Sequence, residues 1–304
     1  MERVTSNSEL QSRLQALKAR MSPCRLCPRA CGALRNQGQR GVCGILDQPL
    51  VASYGPHHGE EDCLRGWAGS GTIFFAGCNL GCIFCQNWEI SHLRHGYPVS
   101  PEYLATMMLE LQSLGCHNIN WVTPTHVIPM LIEALVIARE QGLRIPIVYN
   151  CGGYESVETL RLLEGWIDIY MPDFKFWNPK TARALCGAED YPEVARVALQ
   201  EMHRQVGDLV LDEQGLAQRG LLVRHLVLPG LLEETQQILH WIATNLSRNT
   251  YVNVMAQYRP EGGVLMGKAP PEYAAHLQRR LTRQEYEEAL QIAREVGLWR
   301  LDHV

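Results

Sequence analysis

A chain of 304 residues is long enough for one large α/β domain with an extra module, or for two modest domains. With 46% hydrophobic and 20% charged residues it reads as an ordinary globular protein, not a disordered or fibrous one. A formal net charge of −4 gives no electrostatic case for a nucleic-acid or acidic-membrane partner. Residues 1–13 are polar and show no apolar signal core. The longest apolar run, 127–138, is broken by Pro129 and Glu133 and is too short for a bilayer, so a cytoplasmic location is expected.

Residues 8–21 read as a short amphipathic helix, with Ser8 and Gln11 at capping-box spacing, Leu10, Leu14 and Leu17 on one face, and Pro23 as its stop. Residues 22–66 are rich in Cys, Gly, Pro and Arg and lack periodicity, which predicts a loop-rich module built around a metal rather than a core. The expected division is therefore 1–66 for the helix and Cys-rich metal-binding module and 67–304 for the main domain.

From there the pattern becomes strand, loop, helix, repeated. Short apolar runs predict strands over 72–76, 118–122, 144–149, 166–171, 221–228 and 250–255. Helices are predicted over 101–114, 128–141, 156–163, 191–206 and 233–245. A last one starts at Thr282, with Glu285 completing a capping box, and ends near Gly297. Six βα units predict a parallel sheet, either doubly wound or curved into an incomplete TIM-like barrel. Both place ligands at the C-terminal strand ends, where Cys78, 123–126, 150–153, 173–175, Pro229 and 257–259 fall.

Eleven cysteines are many for a chain without a secretion signal, and clustered thiols in a reducing compartment point to metal ligands. Cys78, Cys82 and Cys85 follow the first strand with C-x3-C-x2-C spacing. Three such thiolates hold three corners of a cubane iron–sulfur cluster and leave one iron open to a ligand. A structural zinc is the competing reading, but it usually takes four protein ligands at another spacing. Gly77 and Gly81 let the backbone wrap the cluster, and Phe84 stands ready to shield it.

This loop resembles the signature of the radical S-adenosylmethionine (SAM) superfamily. The chain is most similar to the pyruvate formate-lyase-activating-enzyme branch and, within it, to the PflX-like group. The likeness covers nearly the whole chain, through segments 24–31, 58–61, 69–75, 85–91, 122–126, 149–150, 153–155, 168–175, 224–230 and 257–260. It implies an α/β partial (β/α)6 TIM-like barrel, a [4Fe-4S] cluster on Cys78, Cys82 and Cys85, and SAM chelated at the open iron. Reductive cleavage of SAM would then yield a 5′-deoxyadenosyl radical that abstracts hydrogen from a strong C–H bond. It also implies a low-potential electron donor of flavodoxin or ferredoxin type.

The same resemblance supplies SAM contacts. Thr125 and His126 stand where activating enzymes carry a Gly-Gly-Glu segment, a departure that removes the carboxylate. Asn150 and Gly153 match a polar, glycine-containing SAM segment, Asp173 and Lys175 an Asp-x-Lys at the fourth strand, and His225 a histidine near the ribose. Read from residue type alone, Asp173 and Lys175 are also a surface pair, Asn150 a turn residue, and His225 a satisfied core histidine.

Cys24, Cys27, Cys31 and Cys43, spaced C-x2-C-x3-C-x11-C, suit either a second iron–sulfur cluster or a zinc held by four thiolates. The segment 57–61 is either a lining of the site or a solvated loop; Cys116, Cys151 and Cys186 read as small buried residues, with a substrate or radical role the alternative for Cys151 at its strand end and a supplementary-ligand role for Cys63. Three functions follow: a glycyl-radical-enzyme activase, with that enzyme as partner; a radical SAM enzyme acting on a small molecule or other protein site; and an iron–sulfur electron carrier.

Overall fold

A computed structural model describes residues 7–302. Its elements run α1 (Asn7–Ala19), β1 (Leu50–His57), α2 (Asp62–Arg65), β2 (Ser70–Phe75), α3 (Trp88–Ser91), β3 (Tyr97–Pro98) and α4 (Pro101–Ser113). They continue with β4 (Ile119–Val122), α5 (Ile128–Glu140), β5 (Ile147–Cys151), α6 (Val157–Leu163), β6 (Ile169–Pro172), α7 (Pro179–Cys186) and α8 (Tyr191–Val206). The chain ends through β7 (Val210–Leu211), β8 (Ala217–Leu226), α9 (Leu232–Asn245), β9 (Tyr251–Met255), α10 (Pro271–Leu277) and α11 (Arg283–Glu295). The side chain of Ser8, expected to cap the first helix, lies outside the described residues.

The fold is α/β with a mostly parallel sheet ordered β3-β1-β2-β4-β5-β6-β8-β7, and β9 pairs with β8. The six expected strands are present as β2, β4, β5, β6, β8 and β9, each parallel to the next. They are apolar without alternation because both faces are covered. The faces are nevertheless distinct. Val148, Ile169, Met171, Leu222 and Tyr251 share one face and pack with Cys63 and Leu64 of α2. Their neighbours Tyr149, Tyr170, Leu221, Val223 and Val252 belong to the larger core that also holds α5, α8 and α9. This period of two decides which side chains can reach a ligand.

The short elements α2, α3, β3, β7 and α10, and the longer β1 and α7, were not foreseen. β1 lies in the segment expected to be loop-rich from its Cys, Gly, Pro and Arg content; it exists by antiparallel pairing with β2, from Val51 opposite Phe75 to His57 opposite Ser70. α7 is short, but its signals were present: Asn178 accepts from the Lys180 N–H, Pro179 opens the helix, and Gly187 ends it with φ of 62°. The last helix has the expected capping box between Thr282 and Glu285. No helix among the described residues is long and apolar enough to cross a membrane.

Candidate active site

The parallel strands end at one cavity of about 420 Å³. Cys78, Cys82 and Cys85 line it from the loop after β2, Thr123 follows β4, Asn150 and Cys151 close β5, Asp173 and Lys175 follow β6, and Arg224 and Asn253 come from β8 and β9. Thr123 has φ of 60°, an uncommon conformation for a β-branched residue, stored at the cavity wall.

The cysteine loop is tightly made. Gly77 and Gly81 take φ of 82° and 64°, as the wrapping loop requires. A Cβ on Gly77 would stand 2.7 Å from the Cys43 carbonyl and 2.6 Å from Ile45 Cγ1. Phe84 is buried at the cavity and meets Phe176 edge-on, with centroids 6.0 Å apart, as expected of a water-excluding side chain. The Leu80 N–H donates to Cys78 Sγ at 3.4 Å and the Ser91 hydroxyl to Cys85 Sγ at 3.2 Å.

Burial pushes the Cys78 thiol up to about 12 and raises Cys85, while a hydrogen bond with Cys186, then burial, raises Cys82. Thiols in this state become thiolates when a metal replaces the proton. Three soft donors on one wall, two of them receiving hydrogen bonds at sulfur, fit a cubane cluster. Among the described residues no three His, Cys, Asp or Glu side chains converge on a single ion position. Cluster thiolates bind separate irons, so a cubane does not require such convergence.

The residues expected to contact SAM divide into two groups. Asn150, Asp173 and Lys175 line the cavity. Lys175 Nζ lies 2.5 Å from Asp173 Oδ2, both side chains under one-fifth exposed. Burial opposes the Lys175 charge, but the ion pair with Asp173 outweighs it and keeps the lysine protonated. Thr125, His126, Gly153 and His225 stand behind the wall. Thr125 Oγ1 donates to Glu155 Oε1 at 2.6 Å, and His126 Nε2 bonds the Ala76 carbonyl at 2.8 Å. Gly153 takes φ of 77° where a Cβ would lie 2.1 Å from the Asp173 carbonyl oxygen. His225 is fully partnered on the helix side, by the Phe174 carbonyl at 2.7 Å and Thr235 Oγ1 at 2.9 Å. Burial lowers both histidines to about 4, so they are neutral.

Arg224 was missed. It neighbours His225 in β8 and points to the opposite face, into the cavity. It forms ion pairs with Glu60 and, at 2.6 Å, Glu61; the Asn253 amide donates to Glu61 Oε1 at 2.7 Å. Burial works against the Glu60 charge, but Arg224 and His57 hold its pKa down to about 2. The segment 57–61, ambiguous in sequence, is therefore partly cavity wall: His57, Gly59 and Glu60 line it. The parity of β8 was the signal that could have found Arg224. Glu155 was missed too; burial pushes it up to about 7 against hydrogen bonds from Thr125, Tyr149 and Cys151.

The N-terminal cysteines sit on the back of the cluster loop. Cys24 and Cys43 are buried, and Cys31 is exposed. Their thiols act electrostatically on one another, and burial pushes Cys27 up to about 12. Buried Arg35 donates to the His126 carbonyl at 2.7 Å and lies 4.0 Å from Cys24 Sγ.

Comparison with known proteins places this site in a family. The model of the radical SAM superfamily matches residues 72–242, more than half of the chain. The uncharacterized protein MJ0674 of Methanocaldococcus jannaschii is 33% identical over 299 residues, covering 95% of this chain and 79% of that protein. Among solved structures, Streptococcus suis SuiB bound to its precursor peptide SuiA superposes with a TM-score of 0.49 at 13% identity, over 72% of this chain and 44% of SuiB. The radical SAM methyltransferase TsrM of Kitasatospora setae, with cobalamin and a [4Fe-4S] cluster bound, gives 0.47 at 16% identity, over 67% of this chain and 40% of TsrM. The chain thus spans less than half the length of either solved structure. On the match across its strand-and-cysteine core, this protein belongs to the radical SAM superfamily.

Proposed function

We propose that this enzyme holds a [4Fe-4S] cluster on Cys78, Cys82 and Cys85, binds SAM beside it, and directs hydrogen abstraction at a polar substrate. The observation that carries this is one cavity that gathers the three cysteines and the polar ends of β5, β6, β8 and β9. When bound, the cluster and SAM supply a one-electron cleavage that yields a 5′-deoxyadenosyl radical.

The chain's own residues bind and exclude. Lys175, kept cationic by Asp173, is placed to pair with a carboxylate. Asn150 is buried, lines the cavity and has no hydrogen-bond partner for its side chain among the described residues, so its amide is available to a ligand. Phe84 keeps water out. Thr125, His126, Gly153 and His225 support these groups from behind. His57, Glu60, Arg224 and Asn253 form the wall we assign to the substrate. We read β2, β4, β5, β6, β8 and β9 with their helices as a partial (β/α)6 barrel, a flavodoxin- or ferredoxin-type protein as the electron donor to the cluster, and Cys24, Cys27, Cys31 and Cys43 as a second thiolate site of iron–sulfur or zinc type.

The test is anaerobic reconstitution, dithionite reduction and measurement of 5′-deoxyadenosine and methionine. Stoichiometric release of both supports the reading; a reduced cluster without cleavage leaves an electron carrier. Activase activity is the narrower reading, carried by likeness to the activating branch, and Pro124-Thr125-His126 in place of Gly-Gly-Glu weighs against it. A glycyl radical signal appearing on a partner enzyme by electron paramagnetic resonance (EPR) would establish activase activity. Its absence leaves a small molecule or another protein site.

A further inference from the structure

Arg29 lies between the second and third cysteines of the N-terminal set, yet its guanidinium reaches the other loop. Nε donates to the Asn79 carbonyl at 2.9 Å, and Nη2 to the carbonyls of Leu80 at 3.3 Å and Cys186 at 2.9 Å. Nη1 donates to the Gly187 carbonyl, and the guanidinium carbon lies 5.3 Å from the Tyr154 ring centroid. Asn79 is itself anchored, its amide donating to the Tyr154 carbonyl at 2.8 Å. These hydrogen-bond partners are carbonyls, so they orient the charge without neutralising it.

The Asn79 carbonyl and the Leu80 N–H belong to one peptide unit. That N–H is the group that donates to Cys78 Sγ at 3.4 Å. A cation on the oxygen end of an amide strengthens its N–H as a donor, because hydrogen bonds in series polarise one another. Cluster potentials are set by hydrogen bonds to sulfur and by local charge. Both effects favour the reduced cluster, which carries the extra negative charge.

We propose that Arg29 is a positioning residue that acts through the Asn79–Leu80 peptide on Cys78 and raises the reduction potential of the cluster. The inference rests on the reading of Cys78, Cys82 and Cys85 as cluster ligands. It gives the N-terminal loop a task that does not depend on which metal its own cysteines hold. A lysine would keep the charge but lose the fork that spans the loop and the end of α7.

The experiment is a redox titration of the reconstituted full chain followed by EPR, on wild type, Arg29→Gln, Arg29→Lys and, as control, the exposed Arg25→Gln. Arg29→Gln should move the midpoint potential to more negative values and change the g values of the reduced cluster. Arg29→Lys should recover part of the potential, and Arg25→Gln should match wild type. The proposal is overturned if both Arg29 variants keep the wild-type potential and g values. It is equally overturned if they lose iron while the clusters that remain titrate as wild type, since Arg29 would then be a brace alone. A wild-type chain that assembles no cluster on Cys78, Cys82 and Cys85 overturns the functional reading instead, before any Arg29 variant is measured.

Discussion

Two loops of this protein are rich in cysteine, and they are built to different ends. The 78–85 loop hangs from the end of β2, faces a cavity, and receives N–H and O–H donors at its sulfurs. The 24–43 loop lies on its back, away from the cavity, with Cys31 exposed and Cys24 beside the Arg35 guanidinium. The first has three cysteines lining the cavity; the second has four that lie outside the cavity lining. Tight contact joins them: Arg29 is hydrogen-bonded to the front loop, and Gly77 packs against the Cys43 carbonyl. The same side-chain type thus meets different surroundings in the two loops: a cavity in front, packed backbone and the Arg35 guanidinium behind.

The comparison breaks most directly by removing the front loop's ligands. Cys78→Ala, Cys82→Ala and Cys85→Ala together should abolish all detectable 5′-deoxyadenosine formation, and the iron remaining in that variant reports on the back loop. Iron that falls to zero means the back loop holds no iron–sulfur cluster.

The contact between the loops is tested by Gly77→Ala. The new methyl meets Cys43 and Ile45, and φ of 82° is strained for alanine. The expected cost is at least about 1–3 kcal/mol in urea unfolding, with loss of cluster occupancy. Unchanged stability would mean that the loops are not coupled there.

Behind both loops lies Glu155, and its titration gives a signed prediction. Its folded pKa of about 7 is above the ordinary 4.5, so the folded state holds this proton more tightly. Its contribution is present below pH 4.5 and lost as pH rises through about 7. Glu155→Gln should remove a slope of at most about 1.4 kcal/mol per pH unit between those values. His126 runs the other way, since its folded pKa of about 4 lies below 6.5, and its contribution is lost as pH falls through that window. Unfolding curves across this range check both signs.

The smallest effect is expected from Ser91→Ala, which deletes one hydrogen bond to Cys85 Sγ. The cluster potential should become modestly more negative, by less than in Arg29→Gln, with cleavage retained. An equal or larger shift would show that direct sulfur contacts outweigh the Arg29 relay.

Much of this was legible in the residues. The spacing of Cys78, Cys82 and Cys85 after an apolar run named the cluster loop, and six short apolar runs between helical patterns named the parallel strands. Asn150, Asp173 and Lys175 were readable as cavity residues because they terminate those strands. The difficulty lay at β8, where Arg224 and His225 are adjacent and equally polar. Residue type cannot say which one faces the ligand, and the strand's period of two had to be anchored by register, with Arg224 opposite Asn253.

The sequence by itself therefore determined the close spacing of three thiols along one loop, on which the proposed iron–sulfur chemistry rests. Only the tertiary structure decided what surrounds that chemistry. Glu60 and Glu61 meet Arg224 across more than 160 residues of chain, and Arg29 meets Asn79 across 50. Such pairings depend on how the sheet brings distant strand ends and loops together, which no local pattern records.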